Sequence, residues 1–143
     1  MATIKRNASA YWSGTGKEGT GTITTQSGVL SGTPYSFSRR FGDEKGTNPE
    51  ELIGAAHAGC FSMALSLFLG NAGMTADSID TTATVTLEKV GDAFTVTASH
   101  LDTTVKIPNA DQAKFQQAAE GAKAGCPISR LLNTKITLDA KLA

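Results

Sequence analysis

At 143 residues the chain is long enough for one compact domain with a real core and short for two, so a single domain over 1–143 is expected. Its composition, 40% hydrophobic and 18% charged, is that of an ordinary soluble protein, and its 13 basic and 13 acidic residues cancel and are interspersed. No basic stripe is available to neutralise phosphates, which excludes nucleic acid and an anionic membrane surface as expected partners.

The first eleven residues carry two basic side chains with no apolar run behind them, so no secretory signal is expected and the cytoplasm is the expected compartment. Thiols stay reduced there. Two cysteines in such a chain read as catalytic, redox-active or merely buried, rather than as a structural staple. Ile4, Ala8, Ala10 and Trp12 share one parity, as a half-buried strand requires, before Gly14 and Gly16 break the run. A second strand is predicted from Thr20 to Ser27, with turns at Gly28 and at Gly32-Thr33-Pro34. A third, Tyr35 to Phe41, alternates Tyr35, Phe37, Arg39 and Phe41 against Ser36, Ser38 and Arg40. That alternation sends Arg39 and Arg40 to opposite faces, and an inward arginine needs a partner, for which Glu50 and Glu51 are the candidates.

Asn48-Pro49-Glu50-Glu51 is a helix start: Asn at the cap, Pro at the first position, acids in the first turn. From Leu52 to Ala72 the chain then carries no charge, with small residues in the first half and large ones in the second, ending at Asn71-Ala72-Gly73. Such a helix has the length to span a bilayer. It holds His57, Ser62 and Ser66, however, and lacks basic flanks and an aromatic belt. It is expected instead at the centre of a fold or of a dimer. Ala83, Val85 and Leu87 alternate into a turn at Gly91-Asp92 and out through Phe94, Val96 and Ala98. The apolar phase then slips to Leu101, Val105 and Ile107, which predicts a bulge near Ser99 or His100. Pro108-Asn109 opens a predicted helix to Gly125, Cys126-Pro127 a short second one through Leu132, and Ile136, Leu138, Ala140 and Leu142 mark a final strand. The order βββ-α-ββ-αα-β is α+β with antiparallel sheet.

Few side chains here are reactive. Cys60 lies mid-helix on the face of Ile53, Ala56, His57, Ala64 and Leu67, where a buried cysteine is inert unless a cation stands near it. Cys126 precedes Pro127 at a helix cap, where the dipole favours an anionic sulfur, so local chemistry alone selects Cys126 as the more reactive thiol. Glu50 and Cys60 are separated by about 15 Å along one helix. If two such helices pack antiparallel about a two-fold axis, the Glu50 end of one meets the Cys60 level of the other, and a shared site implies a dimer. A zinc site of Cys60, His57 and Cys126 lacks a fourth ligand and the usual spacing, and His100 reads as a solvent-facing strand residue.

The run Glu44-Lys45-Gly46-Thr47-Asn48-Pro49-Glu50-Glu51-Leu52-Ile53-Gly54-Ala55-Ala56-His57-Ala58-Gly59-Cys60-Phe61 closely resembles the OsmC/Ohr proteins, the osmotically inducible and organic hydroperoxide resistance proteins of bacteria. Lys123-Ala124-Gly125-Cys126-Pro127-Ile128-Ser129 resembles that family's second cysteine segment, and the likeness runs over essentially the whole chain, closer to the OsmC branch. The resemblance implies an intertwined homodimer, with central helices enclosed by sheets from both chains. It also implies a thiol peroxidase acting on organic hydroperoxides at the dimer interface. By motif Cys60 matches the attacking cysteine, Cys126 the resolving one and Glu50 the acid of the Pro-Glu pair; Arg40, which precedes a phenylalanine, is preferred to Arg39. Family and local chemistry thus disagree about which thiol attacks, and an arginine beside Cys60 would supply the missing cation. The implied cycle runs through a Cys60 sulfenic acid and a Cys60–Cys126 disulfide to a dithiol reductant, lipoyl groups in the family, with no metal or organic cofactor. Two other classes stand beside it: a non-enzymatic stress or ligand-binding protein with idle cysteines, and a thiol–disulfide exchange protein, against which the missing Cys-x-x-Cys counts.

Overall fold

The computed structural model describes residues 2–143. The chain forms two compact units, the first ending at Leu52 and the second Ile53–Ala143.

In the first unit β1 (Ala8–Ser13), β2 (Thr20–Thr25) and β3 (Thr33–Tyr35) make an antiparallel sheet in that order. Trp12 and Tyr35 both pair with Gly21 of the middle strand, and their rings meet with centroids 5.2 Å apart. The expected half-buried strand from Ile4 is shorter and barer: Ile4 precedes it and is exposed, and within β1 only Trp12 is half-buried. The expected third strand also stops early. Extended structure ends at Ser36, and Phe37–Phe41 is a short helix, α1. Its cause is local: Ser36 Oγ accepts the Arg39 N–H as an N-cap, and Phe37 and Phe41, one turn apart, bring their rings to 4.8 Å. Spacings of two and of four are both present in Phe37, Arg39 and Phe41, and the cap decides between them. No apolar side chain among residues 2–52 is buried.

Helix α2 (Pro49–Asn71) starts at the cap foreseen for it: Asn48 Oδ1 accepts the Glu51 N–H at 2.8 Å while its Nδ2 donates to Glu51 Oε2 at 2.8 Å. Gly54, His57, Phe61, Leu65 and Leu69 form its buried stripe. At Gly54 a Cβ would stand 3.2 Å from the Ala83 carbonyl oxygen, so the stripe approaches the sheet on a residue without a side chain. Elsewhere on its surface Ala55, Ala56, Gly59, Met63 and Leu67 are exposed.

The second sheet has the order β4 (Ser78–Val90), β5 (Ala93–Lys106), β6 (Lys135–Leu142). Gly91, with φ 62, and Asp92 turn β4 into β5 as expected. Pairing steps from Thr86↔Ala98 to Leu87↔Val96, which makes Thr97 the extra residue. The bulge therefore lies two positions before the expected Ser99, and beyond it Ser99, Leu101, Thr103 and Val105 turn inward. Helix α3 (Gln112–Gly125) begins later than Pro108, because Asp111 caps it through the Lys114 N–H at 3.1 Å and Asn109 sits at φ 55 in the left-handed region. Cys126 then separates α3 from α4 (Pro127–Leu131). One expectation of the sheet is corrected: β6 runs parallel to β5, as Leu101↔Leu138 and Val105↔Leu142 show, so the sheet is mixed. Two helices intervene between these strands, and such a crossover returns the chain in its original direction where a hairpin would reverse it. The α+β class stands. Phe61, Leu65, Leu69, Leu101, Val105 and Phe115 fill the core of this unit, with Cys126 among them.

Candidate active site

Helix α2 carries Cys60 half-buried at the margin of its buried stripe; of the face expected for it, His57 is wholly inside but Ala56 and Leu67 are exposed. The α3–α4 junction carries Cys126, which is completely buried. Both are free thiols, and they face each other within hydrogen-bonding range, so the two cysteines are brought together although 65 residues separate them in the chain. Burial pushes the Cys60 thiol up, and the neighbouring Cys126 pushes it further. The Ile128 N–H acts the other way, since it donates to the Cys60 sulfur and so favours the anion. Within this unit no cation acts on Cys60; the one favourable group is a backbone amide.

That amide bears on the disagreement between the thiols. Cys126 occupies the cap position of α4 as expected, but its side chain makes no capping hydrogen bond. The N–H of Ile128, two residues on, is directed at Cys60 instead. The amide at the start of α4 thus serves Cys60 rather than Cys126. Sequence reasoning overlooked Ile128, because a backbone donor has no residue signature.

His57 is fully buried, with Nδ1 2.6 Å from Ser99 Oγ of β5 and Nε2 2.8 Å from Ser129 Oγ of α4. Burial lowers its pKa, and both ring nitrogens are engaged by hydroxyls, so neither is available to a metal. Among the described residues no three His, Cys, Asp or Glu side chains cluster as a metal site would need. His100 is half-buried rather than solvent-facing, and its Nδ1 meets Thr137 Oγ1 on β6 at 2.5 Å.

The arginines separate cleanly. Arg40 meets Glu50 through two parallel bonds, Nε to Oε1 at 3.0 Å and Nη2 to Oε2 at 2.9 Å, which leaves Nη1 outside the pair. Its guanidinium also lies over the Phe41 ring, 5.2 Å from the centroid. Arg39 binds the loop that follows: Nη2 to Glu44 Oε1 at 3.1 Å, and Nε to the Lys45 carbonyl at 3.1 Å. Neither arginine is fully buried, so the expected inward arginine is not found, and Glu51 partners Asn48 rather than an arginine. In α1 the two side chains diverge by a helical step instead of by strand parity. Beside Arg40 a cavity of about 250 Å³ opens, walled by Trp12, Tyr35, Phe37 and Phe41.

The chain is similar to known proteins in both sequence and fold. A family described as OsmC-like protein matches residues 42–141. The chain is 55% identical over 140 residues to a protein named peroxiredoxin OsmC from Escherichia coli (strain K12), covering 98% of each. It is 32% identical over 101 residues to organic hydroperoxide resistance protein-like 1 of Staphylococcus saprophyticus, covering 70% of this chain and 71% of that one. In fold it is similar to an OsmC-like protein of unknown function from Vibrio cholerae, with a TM-score of 0.76 at 17% identity, covering 96% of this chain and 99% of that one.

Proposed function

We propose, since this chain belongs to the OsmC-like protein family, that it is a thiol-dependent peroxidase whose substrates are organic hydroperoxides. The observation that carries the reading is the facing pair of free thiols, one reachable and one enclosed, with an amide donor on the reachable sulfur. As a thiolate, Cys60 attacks the terminal oxygen of ROOH; the O–O bond breaks, and the leaving alkoxide takes up a proton as ROH. Cys60 is left as a sulfenic acid. The Cys126 thiol then displaces that hydroxyl, releasing water and closing a Cys60–Cys126 disulfide. A dithiol, of which lipoyl groups are the candidate class, reduces the disulfide and is itself oxidised.

Arg40 is the proposed electrostatic stabiliser of the leaving alkoxide, with Nη1 turned to the peroxide and Glu50 holding its plane. A preference for organic peroxides is supported by the aromatic cavity beside Arg40, which suits an alkyl or aryl group better than the hydrogen of hydrogen peroxide. In the homodimer we propose, the Arg40–Glu50 pair of one subunit serves the thiol of the other. This pairing is supported by the apolar face that α2 leaves exposed and by the helical rise of about 15 Å between Glu50 and Cys60. The Escherichia coli relative matches over 98% of both chains, which supports one functional domain over 1–143.

Cumene hydroperoxide followed by mass spectrometry should reveal a Cys60–Cys126 disulfide, and Cys60→Ser should abolish peroxide consumption with lipoamide as reductant. Turnover by Cys60→Ser at the wild-type rate removes Cys60 from the mechanism. Comparable turnover of hydrogen peroxide removes the organic preference alone.

A further inference from the structure

Beyond the thiols, the second unit buries an imidazole to which the cycle above gives no part. His57 has no exposed surface, yet it sits one turn before Cys60 on α2, and its two nitrogens reach hydroxyls on two other elements, 42 and 72 residues away in the chain. Ser99 belongs to β5, the middle strand of its sheet, and is itself wholly buried. Ser129 belongs to α4, a five-residue helix that buries none of its residues completely. Besides its backbone bonds, α4 is tied down by partial packing of Ile128 on the core and by the bond from Ser129 to His57.

We propose that His57 is a positioning residue for the sulfur chemistry: bonded to β5 through Ser99, it holds α4 through Ser129, and thereby keeps the Ile128 amide and the Cys126 thiol directed at the Cys60 sulfur. Burial favours the neutral ring, and a neutral imidazole donates through one nitrogen and accepts through the other. It therefore satisfies one serine as acceptor and the other as donor, and orients both hydroxyls. The three groups that must meet, the Cys60 sulfur, the Cys126 sulfur and the Ile128 N–H, come from α2 and from the 126–128 turn. The imidazole adds a hydrogen bond from α2 to Ser129 of α4, beside the ones the Cys60 sulfur itself makes. Its position three residues before Cys60 puts the link on the same stretch of helix as the attacking sulfur.

The inference rests on Cys60 being the reactive thiol of the proposed peroxidase, but its test does not require peroxide turnover. The informative variant is Ser129→Ala, which removes one hydroxyl and leaves both cysteines and His57 in place. Two quantities are read on the full-length protein: the pH midpoint for iodoacetamide alkylation of Cys60, followed by peptide mass spectrometry, and the rate of disulfide closure after one equivalent of cumene hydroperoxide. Ser129→Ala is expected to move the midpoint upward, because the amide no longer stays aligned with the thiolate. It is also expected to slow closure roughly fivefold, about what one neutral hydrogen bond contributes. Ser66→Ala, which deletes a hydroxyl bonded only to the Met63 carbonyl of its own helix, should change neither. His57→Gln is the second variant, judged by the same two quantities if Ser129→Ala does not fold. A folded variant with a lowered melting temperature but an unchanged alkylation profile and closure rate would show a purely structural bond and overturn the proposal. Failure of the peroxidase reading would appear separately, as peroxide turnover that survives Cys60→Ser.

Discussion

Protonation of His57 requires the buried ring to give up its role as acceptor, and burial opposes the added charge. Its folded-state pKa is therefore below the unfolded value of about 6.5. Above that pH both states hold the ring neutral and the shift contributes nothing. As the pH falls below about 6.5 the unfolded chain takes up the proton first, and stability falls by up to about 1.4 kcal/mol per pH unit until the folded-state pKa is reached. Urea denaturation at pH 7.5 and 5.5 should thus find His57→Gln less stable at the higher pH and closer to wild type at the lower. A gap that stays constant would mean that the imidazole does not titrate on unfolding. This residue also marks how far the site could be read in advance. The two cysteines stood out by composition, but their roles came from family likeness. Ser99 and Ser129 are ordinary serines until the fold carries them to one ring. Ile128 is invisible to any reading of side chains, since it works through its backbone.

Elements with one dominant local signal were legible: the Asn-Pro-Glu-Glu start of α2, the two-residue turn at Gly91-Asp92, and the alternation of β4. Those decided by competition were not. The segment 35–41 satisfies strand alternation and one helical turn at once, and a single serine hydroxyl tips it to helix. The direction of β6 depends on the crossover before it, and its own alternation is the same in either direction. Gly21 offers a test at this scale. It lies buried in β2 between Trp12 and Tyr35, and an added Cβ would stand 2.5 Å from the Tyr35 ring, 2.6 Å from the Trp12 ring and 2.6 Å from the Tyr11 carbonyl oxygen. The rings cover the gap a glycine leaves in a strand. Gly21→Ala must displace both rings or bend the backbone, so a loss of about 1–3 kcal/mol is expected, read as an earlier urea midpoint. An alanine accepted without cost would mean that the ring pair does not define this sheet.

At the scale of the molecule, residues 2–52 fold into three strands and a helical turn without burying one apolar side chain, and α2 exposes Met63 at 71% and Leu67 at 65%. A unit of that size without a core of its own needs cover. Helix α2 also has the length and hydropathy of a membrane span. Its buried stripe packs on protein, however: Phe61, Leu65 and Leu69 belong to the core, His57 is bonded on both nitrogens, and Ser62 donates to Thr81 of β4 at 2.8 Å. A lipid-facing helix would leave that sheet uncovered, whereas a second copy of the chain covers the exposed face and leaves the packed one intact. The apolar face of α2 is thus proposed to meet its own copy, with Leu67 inside the contact. A lysine there would have to be buried without a partner, so Leu67→Lys should sediment as a monomer where the wild type sediments as a dimer. The second consequence is chemical. Within its own unit Cys60 has only an amide to favour the thiolate, while burial and Cys126 oppose it. If the guanidinium comes from the other subunit, separating the subunits must raise the pH midpoint of Cys60 alkylation and lower peroxide turnover by about a hundredfold or more, the order expected when one electrostatic donor is lost. A monomeric Leu67→Lys protein with the wild-type midpoint and full turnover would place the whole site in one chain. A variant that remains dimeric would put the interface elsewhere.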